Sequence, residues 1–428
     1  MAFVLLSAQV ATAQNTVNHK VKKKETLYGI THEYGITLQQ LYEVNPEMAD
    51  PNYNLKKGDI IRIPVVEANA GTSNAAQAKA IELGVMLPLH DRNDDGRRMV
   101  EYYRGVLMAC DSLKKEGMSI NVRAWNLAED GNVETVLQDP AASRCDIIIG
   151  PLYSKFMETL STFVARHGIM LVVPFSINAP QLYSNGHIFQ VYQSIGNLNE
   201  STARRCASWF KDYHPVIIDC QDNASTKAEF TSVLRRQLET DGISYNVTSL
   251  MTPDDAFSRA FADNKPNVVI LNTASSKHLL GAFAKLKTLA ASRPSVEISV
   301  FGYTEWMMYA GQQSQNFHRF NVYIPAPYFT NLESPVASQL VRKYTANFHQ
   351  DMQQTMPRFP LTGFDHAVFF LRGFQKYGKS FDGAAGRFDY KPVQTPLKFE
   401  RVGNGGFQNR AFMFIHYKPD GNCETVNY

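Results

Sequence analysis

Residues 145–154 read CDIIIGPLYS, and residues 168–180 read GIMLVVPFSINAP. Each carries an apolar run too short for a buried helix, and each run closes on loop-forming Gly, Pro or Ser. Working outward, 81–89, 119–127, 169–175 and 188–192 read as further strands. Residues 102–115 carry helical spacing through Val106, Leu107, Cys110 and Leu113, and 156–165 reads as another helix. A second set begins at Val216-Ile217-Ile218, continues through a helix at 230–238, and adds strands at 268–271 and 296–302. Short, wholly apolar strands alternating with amphipathic helices predict parallel sheets covered on both faces. Two such sets predict an α/β protein with two Rossmann-like lobes.

The bulk numbers agree. The 428 residues suggest roughly three compact units. Hydrophobic residues make up 44% and charged residues 19%, a globular balance. Lys and Arg number 43 against 40 Asp and Glu, so the net charge of +3 implies no whole-molecule field for nucleic acid. No run of about 18 apolar residues offers a transmembrane segment. The five cysteines, Cys110, Cys145, Cys206, Cys220 and Cys423, show no CxxC spacing; the odd number leaves at least one free, and core packing is the expected role of each.

Residues 1–14, MAFVLLSAQVATAQ, run from a short apolar stretch to Ala11-Thr12-Ala13, a signal-peptidase pattern that predicts export to the periplasm or cell envelope. The positive residues that usually precede such a stretch are missing, which points to a misassigned start or an atypical signal.

Residues 18–66 predict a separate small module in the order strand, helix, helix, strand. The first helix runs from about Thr26 to Tyr34 with Gly35 as its stop, and Thr37 to Gln40 fits a capping box for the second. Asn45-Pro46 ends that helix, and Ile60 to Pro64 closes the module. The stretch HKVKKKETLYGITHEYGITLQQLYEVNP, followed by LKKGDIIRIP, resembles a LysM domain. The matching positions are Val21, Glu25-Thr26-Leu27, Ile30, Tyr34-Gly35-Ile36, Leu41, Asn45-Pro46, Leu55, Gly58, Ile61, Ile63 and Pro64; His19 and Lys24 depart from the pattern. The resemblance implies binding of N-acetylglucosamine glycan, as in peptidoglycan, in a groove lined by Glu25, Thr26, Leu27, Asn45, Pro46, Tyr53 and Asn54. Residues 67–79, rich in Ala, Asn, Gly and Ser, read as a flexible linker.

From residue 80 to 428 the motifs CDIIIGPLYS, GIMLVVPFSINAP, HIFQVYQS, Ser299–Gly302 with Glu305, and Gly363–Ala367 opening a helix resemble a type I periplasmic binding protein, nearest the branched-chain amino-acid binding group. The expected division places the first lobe at about 80–194 and 324–398, and the second at about 195–323 and 399–428. The resemblance implies a crevice ligand held by Ser154, Ser176, Asn178, Tyr303 and Glu305, a small carboxylate such as an amino acid. Asp222-Asn223-Ala224-Ser225 stands where the family has Tyr-Gly. Bland roles compete throughout: Ser154 and Asp365 as helix caps, Asn178 as turn chemistry, Tyr303 as packing.

No HExxH, GxSxG, GxxxxGK[ST] or GxGxxG occurs, the eleven histidines are dispersed, and Cys220 near His214 is the one conceivable dyad. The expectation is a protein without catalysis or cofactor. It binds peptidoglycan in the envelope and uses its two-lobed domain as sensor or scaffold for a small ligand or a partner such as a cell-wall synthase. The alternative is the substrate-binding receptor of an ABC importer, whose partner is a permease.

Overall fold

The computed structural model describes residues 16–22, 25–34, 36, 38–50, 53, 55–64, 79–176 and 179–427. The expectations for residues 1–14, Lys24, Gly35, Thr37, Asn54, most of the 67–79 linker and Asn178 lie outside the described residues. The chain divides into two compact units, one holding residues 1–78 with 333–352, the other 79–332 with 353–428.

In the first unit, β1 (Thr16–Lys20) pairs antiparallel with β2 (Ile60–Pro64), with His19 opposite Ile61. Between them run α1 (Leu27–Glu33), α2 (Leu38–Val44) and a 3-10 turn at Pro46–Ala49. Val21, Leu27, Ile30, Ile36, Leu41, Met48, Ile61 and Ile63 form its core, and Tyr42, Tyr53 and Leu55 pack against it. So few apolar side chains give a small margin of stability, and polar bracing inside the module matters accordingly.

The second unit contains two seven-stranded sheets. The first is begun by β3 (Ile81–Leu87), α3 (Asp94–Lys115), β4 (Ile120–Asn126), α4 (Val133–Leu137), β5 (Ile147–Ile149), α5 (Met157–His167), β6 (Met170–Val173) and β7 (Ile188–Gln190). The chain then crosses to α6 (Ile195–Trp209), β8 (His214–Asp219), α7 (Ala228–Thr240), β9 (Asn246–Ser249), α8 (Asp254–Ser258), β10 (Asn267–Leu271), α9 (Ser276–Ser292), β11 (Ile298–Phe301), α10 (Ala310–Arg319) and β12 (Val322–Ala326). The helix α11 (Pro335–Phe348) belongs to the first unit, where it contacts α1. Then α12 (Phe359–Tyr377), β13 (Phe399–Arg401) and β14 (Phe407–Asn409) return to the first lobe, while β15 (Met413–Tyr417) and β16 (Cys423–Asn427) complete the second.

The sheet orders are β13-β14-β7-β6-β5-β3-β4 and β16-β15-β12-β11-β10-β8-β9. Within each, the five strands from β3 to β7 and from β8 to β12 are parallel. These are the two Rossmann-like lobes expected from the apolar runs. Their boundaries differ from the sequence division. The second sheet keeps the chain to Ala326, and residues 399–409 belong to the first sheet because β14 pairs in parallel with β7, Phe407 opposite Phe189. Three-residue strands with distant partners leave no local signal.

Two further differences trace to hydrogen bonds. The α3 helix starts at Asp94, eight residues before its apolar periodicity, because the Asn93 side chain accepts from Gly96 N at 2.9 Å and caps a polar first turn. Asp365 caps no helix. The α12 helix begins at Phe359, and the Asp365 carboxylate instead accepts the backbone N–H groups of Val393, Gln394 and Thr395 at 2.9, 2.7 and 2.7 Å.

Candidate functional site

In a doubly wound sheet, ligands lie beyond the carboxyl ends of the strands where the winding reverses. The reversals fall between β3 and β5 in the first lobe and between β8 and β10 in the second. Ser154, exposed, follows β5 at the first of these points, as the first residue of a 3-10 turn at Ser154–Phe156. Beside it, the Tyr153 hydroxyl donates to Asp95 Oδ2 at 3.2 Å and ties the loop after β5 to the start of α3. Ser176 is half-buried after β6, and the preceding Phe175 ring is packed among Tyr102, Tyr192 and Phe359.

The second lobe's candidates are already engaged within the fold. Tyr303 is buried, and its hydroxyl donates to the Leu271 carbonyl. Burial raises the hydroxyl's pKa far above that of a free tyrosine. Glu305 Oε1 receives Lys227 Nζ at 2.6 Å, and the same ammonium lies 5.0 Å from the Tyr303 ring centroid. Sequence reading missed Lys227, since a lysine at the start of α7 carries no mark of a partner 78 residues away. The DNAS stretch, Asp222 to Ser225, is tied to the loop after β10: Thr273 Oγ1 donates to Asp222 Oδ2 at 2.6 Å, and Ser225 Oγ donates to the Asn272 carbonyl at 2.7 Å. The bond from Thr273 is the main influence holding the Asp222 carboxyl below its usual range.

In the amino-terminal module the expected groove residues divide by burial. Leu27 belongs to the core, at 3% exposure. Asn45 is 1% exposed; its Nδ2 donates to the carbonyls of Leu41 (2.9 Å) and Arg62 (2.6 Å), and its Oδ1 accepts from Arg62 N (2.9 Å). It therefore locks the end of α2 to β2. Thr26 Oγ1 accepts from Gly29 N at 3.0 Å and caps α1. Pro46 is exposed, and Tyr53 is half-buried against the core. Glu25 is braced from beneath: its Oε2 meets His19 Nε2 at 2.9 Å and Lys22 N at 2.7 Å, while His19 Nδ1 meets the Tyr34 hydroxyl at 3.0 Å. Burial pushes the Glu25 carboxyl up, but the bonds from Lys22 and His19 outweigh it and lower its pKa. His19, visible in the sequence only as a departure from the family pattern, is thus the hub that fixes Glu25.

The LysM domain family matches residues 19–64. Those residues are a LysM domain. No curated protein matches the chain. Among solved structures, full-length LpoA from Haemophilus influenzae is similar at 14% identity and a TM-score of 0.50, covering 82% of this chain. The chain spans only 60% of that protein's length. A protein described as a branched-chain amino acid ABC transporter of Rhodospirillum rubrum is similar at 14% identity and a TM-score of 0.54, over 81% of this chain and 100% of its own. At 14% identity the likeness shows a shared fold: beyond its LysM domain this chain has the two-lobed α/β architecture of the periplasmic-binding-protein type.

The conceivable dyad does not form. His214 Nε2 lies 3.2 Å from the Ala260 carbonyl, and burial pushes the Cys220 thiol up to about 12. The five cysteines are all free and four are buried. Among the described residues no group of three His, Cys, Asp or Glu side chains is placed to hold a metal, and no helix is long and apolar enough to cross a membrane.

Proposed function

We propose that this chain is a non-enzymatic protein of the cell envelope: its LysM domain holds peptidoglycan glycan, and its two-lobed unit serves as a scaffold or sensor for a partner, a cell-wall synthase being the partner class. The LysM match over residues 19–64 carries this reading. On this reading, exposed Pro46, half-buried Tyr53 and the braced Glu25–Thr26 segment are the groups offered to sugar rings and hydroxyls. The engaged state of Tyr303 and Glu305 favours the scaffold over an amino-acid receptor, because a carboxylate or amine ligand would have to displace the bonds to Leu271 and Lys227.

The full chain should pellet with protein-free sacculi, and soluble N-acetylglucosamine oligomers should release it. Failure to pellet, or retention indifferent to the oligomers, would sink the glycan reading. The receptor alternative is checked by melting the protein with amino acids and dipeptides. A ligand at about 100 times its dissociation constant adds roughly 2.7 kcal/mol, a visible shift. The expected result is no shift, and a clear one would reinstate the importer receptor. Release of soluble muropeptides from the sacculi would overturn the non-enzymatic reading.

A further inference from the structure

Two of the segments joining the lobes run side by side. Gln190 Nε2 donates to Gln408 Oε1 at 3.2 Å, Gln408 Nε2 donates to the carbonyls of Gln190 and Tyr192 at 3.1 and 3.0 Å, and Gln193 Nε2 donates to the Ala411 carbonyl at 3.1 Å. Next to this stitched hinge lies a cleft of about 450 Å³. One wall is α6 of the second lobe, contributing Arg204 and Arg205; the other is the β13–β14 region, contributing Lys398 and Arg410. Glu400 is the single acid in the lining. It lies 3.9 Å from both Lys398 Nζ and Arg410 Nε, at the outer limit of an ion pair, so one carboxylate is shared loosely between two cations. The cleft thereby gathers an excess of three positive charges, as large as that of the entire chain. Concave walls concentrate such a field and draw anions in.

The lining also selects among anions. Arginine presents a planar fork of N–H donors matched to phosphate oxygens, and Ser201 and Ser208 on the same face of α6 add hydroxyl donors. A single carboxylate would neutralise only one of the excess charges, whereas a phosphoryl or diphosphoryl group brings two or more. We propose that this cleft binds a phosphorylated ligand and that such a ligand bridges the two lobes beside their hinge. The site is separate from the LysM domain and from the crevice residues discussed above, so it stands or falls independently of glycan binding.

The test titrates inorganic pyrophosphate into the full chain by calorimetry at moderate salt. Saturable binding is expected, weakened roughly tenfold by Arg204→Ala on one wall and by Arg410→Ala on the other. Glu400→Gln should tighten it by about threefold, a gain that misfolding cannot mimic. Exposed Lys287→Ala, far away in sequence on α9, should change nothing. Three results would each overturn the proposal: no binding at about 10 mM pyrophosphate, equal binding by all variants, or tighter binding of a triglutamate peptide than of pyrophosphate.

Discussion

Tyr102 Oη and His366 Nδ1 lie 2.9 Å apart, although 264 residues separate them in sequence and neither side chain reaches solvent. The bond joins α3 to α12, the helix that re-enters the first lobe after the chain has built most of the second. His366 Nε2 has no partner among the described residues, so this is the one hydrogen bond found for a wholly buried imidazole. Tyr102→Phe should cost roughly 1–3 kcal/mol, since it strands a buried polar group rather than replacing both partners. Denaturant unfolding with an unchanged slope measures this. A cost near zero would mean that water reaches the imidazole.

Acid should expose the same residue. Burial depresses the His366 pKa from 6.5 to about 3, and burial raises that of its neighbour Asp365 from 3.8 to about 7 against three N–H donors. The histidine, harder to protonate folded than unfolded, contributes stability that is full above about pH 6.5 and lost as pH falls toward 3. The aspartate binds its proton more tightly in the fold; its contribution is full below about pH 3.8 and lost as pH rises through 7. The two slopes oppose each other between about pH 4 and 6.5, each at most about 1.4 kcal/mol per pH unit. His366→Asn removes one slope. The gap in stability between wild type and variant should therefore narrow as pH drops from about 6.5 to about 4.5. A gap independent of pH would contradict the neutral, buried imidazole.

The α3 and α12 helices touch backbone to backbone. A Cβ on Gly105 would lie 1.9 Å from the Pro360 carbonyl oxygen, and one on Gly363 would lie 2.1 Å from that of Tyr102. Backbone cannot rotate aside as a side chain can. Gly105→Ala and Gly363→Ala should each destabilise the protein by about 3 kcal/mol or more, despite the higher helix propensity of alanine. Thermal melts would show it, and a neutral or stabilising alanine at both sites would refute the close crossing.

In the LysM domain, Asn45 and Glu25 should fail in different ways. Asn45→Ala removes the side-chain bonds to Arg62 O and Arg62 N and the second donor to Leu41 O, so the domain should lose on the order of 2 kcal/mol or more, and sacculus binding should fall with folding. Glu25→Gln keeps its shape but weakens the bond to His19. Because the Glu25 pKa is lowered in the fold, its contribution is present above about pH 4.5 and drains away as pH falls below that value. Wild-type sacculus binding should decline over that acid range, and Glu25→Gln binding should be flatter. Parallel acid profiles would rule out Glu25 as the group responsible.

Much of this was legible in the chain itself. The LysM domain announces itself because its invariant needs are local: apolar positions at helical and strand spacing, and Asn45-Pro46 at the end of α2. The two lobes announce themselves because a buried parallel strand must be apolar on both faces, as in Ile147–Ile149 and Asn267–Leu271. The site was less legible. Ser154 follows β5 at the winding reversal, whereas Tyr303 and Glu305 are engaged by Leu271 and Lys227, and Asn45 turns its amide into the fold.

Periodicity and turn chemistry act over a few residues, and they determined by themselves which elements form and that two sheets exist. Only the tertiary structure decided that 399–409 rejoins the first sheet beside Phe189, that Gly105 and Gly363 admit a helix crossing, and that Arg204 and Arg410 face one cleft. Each of these depends on atoms brought together from segments about 200 to about 260 residues apart, where pairing is set by packing and charge in three dimensions rather than by neighbouring side chains.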